Sequence, residues 1–173
     1  MTADALDAAW VRTWAADVTA QVDSVLAAFD TYYPFPPGRN EVVPAGRPDR
    51  GDASPGRPGA PGVAADLLTF YGVIDEVVLS DIGNAFFVHP ADTALDDRVE
   101  LDAAGGAAGD AFVFASDGGG ILYAIGPDGG VHRSRAASAD SGFEPVTDDL
   151  RGFLDRLRDA VARFAATRTP TAL

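Results

Sequence analysis

The chain of 173 residues contains no cysteine. A disulfide framework, a thiolate zinc site and a cysteine nucleophile are therefore excluded. Lysine is absent as well, and all thirteen basic residues are arginines. That removes Walker A phosphate binding, Schiff-base chemistry and a lysine general base. Histidine is scarce, with only His89 and His132. No apolar run approaches the ~20 residues that a membrane helix requires, so no membrane association is expected. The start, MTADALDAAW, lacks the basic and apolar regions of a secretory leader, and a cytoplasmic location is expected. Positive charge is also in short supply. A net charge of −13 argues against nucleic-acid binding, which needs a basic face for phosphate contacts.

What is there is unevenly placed. From Val63 to Ala111, ten acids (Asp66, Asp75, Glu76, Asp81, Asp92, Asp96, Asp97, Glu100, Asp102 and Asp110) face Arg98 alone. From Val146 to the end, four acids meet five arginines. The negative field thus comes from the middle of the chain, where it serves solubility or attracts a basic partner. Eight of the twelve prolines fall between Pro34 and Gly62, interleaved with glycine and arginine. Such a stretch buries too little apolar surface to offset its ordering entropy, and residues 34–62 read as a flexible linker or long loop. Its Arg50-Gly51-Asp52 tripeptide is a coincidence of that composition.

Apolar periodicity supplies the architecture. Val11, Trp14, Val18, Val22, Val25 and Phe29 recur at helical steps, predicting a helix over about 3–29 within an N-terminal unit, residues 1–33. A second amphipathic helix is predicted from Asp148 to about Ala166, capped by Thr147, with Leu150, Phe153, Leu154, Leu157, Val161 and Phe164 on one face. Between them, Ala64 to Tyr71 reads as a short helix and Val77 to Leu79 as an extended run. Ala85 to Val88 reads as a strand, Ala91 to Leu95 as a helical turn and Asp102 to Asp110 as a loop. FVFASDGGGILYAIGPDGGVHR, starting at Phe112, reads as three short strands joined by two glycine turns. Antiparallel strands between terminal helices give an α+β single domain with an antiparallel sheet of about four to six strands. Its core spans 63–167, and 168–173 form a disordered tail.

Chemical motifs are sparse. Asp117-Gly118-Gly119-Gly120 precedes a strand, where a phosphate cradle needs a helix N-terminus. No HExxH helix, DxDxDG loop or G-x-S-x-G elbow occurs, so no metal, cofactor or catalytic residue is assigned. Ser116, Ser138 or Ser141 with either histidine makes a triad only on paper. A small hydrolase therefore stands as the least favoured class.

The FVFASDGGGILYAI…DGGVHR pattern, followed by DDLRGFLDRL and preceded by LLTFYGVIDEVVLSDIGNAFFVHP, resembles the SUKH superfamily. That group includes fungal regulators of cell-wall synthesis and bacterial immunity proteins against polymorphic toxins. The resemblance spans roughly Val63 to Phe164. At Ala85 it is looser, because the family more often has glycine before the aromatic pair. It implies that the Gly72 to Asn84 loop and the sheet turns lie together, forming an acidic face from Asp75, Glu76, Asp81 and Asn84 with Asp117. It further implies a non-enzymatic protein-binding module: an immunity-type inhibitor occluding a basic, nuclease-type toxin, or a regulatory adaptor without a toxin. Asn84 and Asp117 also suit plain turn roles. Oligomeric state is left open.

Overall fold

The computed structural model describes residues 6–46, 64–101, 109–171 and 173. The valine and tryptophan period of the N-terminal segment forms helix α1, Ala8–Ala27, which buries Val11, Trp14, Val18, Val22 and Val25. Asp7 caps it by accepting from Trp10 N–H at 2.8 Å. One turn of helix, α2 (Phe29–Tyr32), follows. Next come β1 (Asn40–Pro44), α3 (Ala65–Tyr71), β2 (Ile74–Leu79), β3 (Phe86–Val88), α4 (Ala91–Asp96) and β4 (Arg98–Leu101). Strands β5 (Gly109–Asp117), β6 (Leu122–Ile125), β7 (Val131–Ala136) and β8 (Ser138–Thr147) lead into α5 (Leu150–Thr167). The fold is a single mixed α+β domain, with terminal helices on an antiparallel sheet.

The sheet has eight strands, in the order β1-β2-β3-β5-β6-β7-β8, with β4 also paired to β5. Two more strands than expected are therefore present at the least. β1 lies inside the segment read as a linker. Arg39 and Asn40 tie its start to the sheet, while residues 47–63 lie outside the described residues. β4 has four residues, too few for a periodic signal, and most of the Asp102 to Asp110 loop lies outside the described residues. β8 carries Gly142, Pro145 and five polar residues, so its composition resembles a loop. Thr147 ends β8 and does not cap α5; its hydroxyl donates to Asp149 O, and the Asp149 carboxylate receives Gly152 N–H at 2.7 Å. The final residues are anchored in part. Arg168 closes α5 in a left-handed conformation, donates to the carbonyls of Phe164 and Ala165, and stacks on Tyr32.

β3 and β4 share one edge of β5 and run in the same sense. β3 opposes Ala115 to Asp117, and β4 opposes Gly109 to Phe112. Only Val113 and Phe114 separate those contacts on β5, yet residues 89–97 separate β3 from β4. The intervening chain leaves the sheet as α4. His89 N–H to Phe114 O (2.8 Å) and Val113 N–H to Asp97 O (2.9 Å) pin its two feet side by side.

The main core lies between the sheet and helices α1, α3 and α5. Trp14 donates its indole N–H to Leu154 O at 2.7 Å and meets Phe70 edge-on, joining all three helices. On the opposite face a smaller cluster of Leu101, Ala111, Val113, Ala124 and Phe143 is buried because the sheet curls until β8 reaches β4. Phe153 stands at the junction of α5 with the sheet, with ring centroids 5.2 Å from Phe114 and 5.1 Å from Tyr123. Phe153→Ala should therefore lower unfolding free energy by about 3–5 kcal/mol in urea titration. A loss below about 1 kcal/mol would contradict this packing.

Candidate functional site

The five acidic-face candidates start from β2 and its loop. Asp75 is the extra residue of a bulge, because Pro44 pairs with Ile74 while Val43 pairs with Glu76. Its charge, after burial, helps hold the Tyr71 phenol far above its ordinary pKa. Glu76 is mostly covered and takes the Arg39 guanidinium at 2.9 Å. Hydrogen bonding to Glu41 is the main cause that raises the Arg39 pKa, with Glu76 assisting. Asp81 receives Gly38 N–H at 2.7 Å and the Asn40 amide at 2.6 Å, and its own N–H donates to Asn40 Oδ1 at 2.9 Å. That reciprocal clamp fixes the start of β1.

Asn84 and Asp117 do come together. Gly118 N–H donates to Asn84 O at 2.9 Å, so the β2–β3 loop sits on the β5–β6 turn. A Cβ on Gly118 would meet that oxygen at 2.2 Å, which only glycine avoids. Asp117 spends its Oδ1 on Gly119 N–H and Ile121 N–H. Asp75 and Glu76 lie three to four residues back along β2 from Leu79, about 10–13 Å away at strand rise. That spacing separates Asp75 and Glu76 from the Asn84–Asp117 contact along the strand, while the adjacent Arg39 and Asn40 engage Glu76 and Asp81 respectively. Asp81, Asn84 and Asp117 hold the scaffold, and Glu76 clips β1 down.

Exposed acids gather elsewhere, on the excursion between β3 and β5 and at the start of β5. Asp92, Asp96, Asp97, Glu100 and Asp110 are all exposed there. Arg98, the one basic residue among the described residues from 64 to 111, lies 3.6 Å from Asp110 and stacks on Phe112. The uneven charge in the sequence was the available signal for this patch; its assembly depended on the unrecognised β4.

The structure also pairs His89 with Ser116, at 2.8 Å between Nε2 and Oγ. Burial lowers the His89 pKa, against the pull of Asp97 and Glu76, so its imidazole is neutral near pH 7. A neutral histidine on a hydroxyl is the start of a nucleophile pair. The neighbouring amides are committed, however. Asp117 N–H, Gly118 N–H and Gly119 N–H already donate to Ile121 O, Asn84 O and Asp117 Oδ1. None of these is left to hold an oxyanion or phosphate beside Ser116. The pair links the end of β3 to β5. Among the described residues, no three His, Asp or Glu side chains gather to hold a metal ion.

His132 is buried on β7 with no partner at Nδ1 among the described residues. Burial lowers its pKa, with Asp128 opposing. Both histidines thus have folded values below the ordinary ~6.5, and the unfolded chain takes up protons first as pH falls. Stability is expected to drop from about pH 6.5 downward through the lowered folded values. His132→Gln should flatten that drop in urea titrations at pH 8 and pH 5.5, and an unchanged pH dependence would contradict it. Gly118→Ala should destabilise the β5–β6 turn by about 2 kcal/mol or more, because backbone must move. A neutral result there would mean that the Asn84 contact is dispensable.

Comparison with protein-family models, with curated proteins and with solved structures returns no match.

Proposed function

We propose that the protein is a non-enzymatic protein-binding module that captures a basic partner through its acidic excursion. The observation that supports this reading is the concentration of exposed carboxylates on α4, β4 and the start of β5, with Arg98 already engaged. The excursion leaves the sheet edge on two adjacent feet and packs Ala94 back into the core, while its carboxylates stay exposed to a partner. Long-range attraction of this kind speeds encounter and disfavours acidic competitors.

The SUKH-like pattern adds a partner class. A nuclease-type toxin exposes arginine and lysine to bind phosphate, and an acidic inhibitor surface would be drawn to that site and occlude it. An adjacent toxin gene would favour immunity; isolated placement would favour a regulatory adaptor. A hydrolase reading has the Ser116–His89 pair in its favour, and the engaged amides beside Ser116 against it.

The test is partner capture with the full chain, followed by stopped-flow association across ionic strength. Asp96→Lys combined with Glu100→Lys should slow association about tenfold or more at low salt and leave dissociation nearly unchanged. An association rate that ignores salt and is identical in both proteins would remove the acidic-excursion mechanism. Ester or phosphodiester hydrolysis lost in His89→Ala would overturn the non-enzymatic reading.

A further inference from the structure

Among the described residues β1 is an edge strand, with β2 as its only strand neighbour. The ladder shows which of its backbone groups are used. Ser80 N–H donates to Arg39 O, and Ala45 N–H donates to Val73 O. The odd-numbered residues from 39 to 45 thus turn their N–H and C=O groups toward β2, and those of Val42 point away from it. The Val42 side chain faces the helix layer and, with Val73, floors a groove of about 620 Å3 beside α1. The wall opposite includes Ala16 and Ala20, whose small side chains keep the groove wide. Arg12 and Asp23 also line it, eleven residues apart on α1, or about 16 Å. That distance matches about five extended residues.

We propose that this edge and groove accept an extended segment of a partner protein, apolar at alternate positions. The added strand pairs with Val42 through its main chain and sends every second side chain between α1 and the sheet. Main-chain bonds supply affinity in such strand addition, and alternate pockets supply selectivity. Arg12 and Asp23 complement a segment that is acidic at one end and basic at the other. Pro44 has no N–H and stops the pairing, so the added strand is short. This site goes beyond the acidic-excursion reading and uses none of its residues.

The experiment is an amide NMR titration of the full chain with a synthetic octapeptide: one glutamate, three valine–threonine repeats and one arginine. Saturable shifts at Val42, Ala16 and Ala20 below about 1 mM peptide are expected. Ala16→Arg and Ala20→Arg, both at exposed positions, should each weaken binding about tenfold or more, as should N-methylation of the peptide amides that face β1. Charge reversal at Asp96 and Glu100 should leave the titration unchanged, which separates this site from the excursion. No shift at 1 mM, shifts confined to another surface, or undiminished binding of the methylated peptide would overturn the proposal. So would a Val42 amide already protected by self-association in sedimentation experiments, since the occupant would then be a second copy.

Discussion

The structure depends on the register of β5. Ala111 to Ala115 are buried in succession, so this strand is covered on both faces. Its phenylalanines, Phe112 and Phe114, belong to the thick layer beneath the helices, and Ala111 and Val113 belong to the thin layer enclosed by the curl. A slip of one residue would force two rings into the thin layer and leave voids in the thick one. Every other strand takes its position from that choice: β3 and β4 along one edge, β6 along the other. The Trp14 to Leu154 bond then locks the two terminal helices over the larger layer.

Acidic residues have two separate roles in this chain. Asp7, Asp81, Asp117 and Asp149 accept backbone N–H groups and serve local geometry: two helix caps, one loop clamp and one turn. Those on the excursion accept little from the rest of the fold and stay in water, where their charge acts at a distance. The two classes are chemically identical in sequence. Only the partners that the fold brings to them separate one from the other.

The helices were legible because Val11 to Val25 and Leu150 to Phe164 repeat at the helical period, a signal that survives without tertiary context. The meander was legible from its β-branched and aromatic runs and its two Asp-Gly turns. β1 and β8 were not, because an edge strand gains its order from a neighbour and tolerates proline and polar residues that mark loops elsewhere. The partners of the candidate residues were hidden for a related reason. Asp81 was read beside Asn84 and Asp117, but its partner is Asn40, forty-one residues away in a segment that looked unstructured. The Ser116–His89 pair likewise rests on β3 and β5 lying side by side, which neither residue announces.

To β5, strands β3 and β4 are one interrupted strand, and α4 is an insertion whose entry and exit are adjacent. Its ends are fixed by main-chain bonds at residues 89 and 97, which do not depend on what lies between them. The consequence is modularity. The exposed positions Asp92, Asp96 and Asp97 can be recharged without altering a rung of the sheet, whereas a change of length must still seat Ala94 in the core.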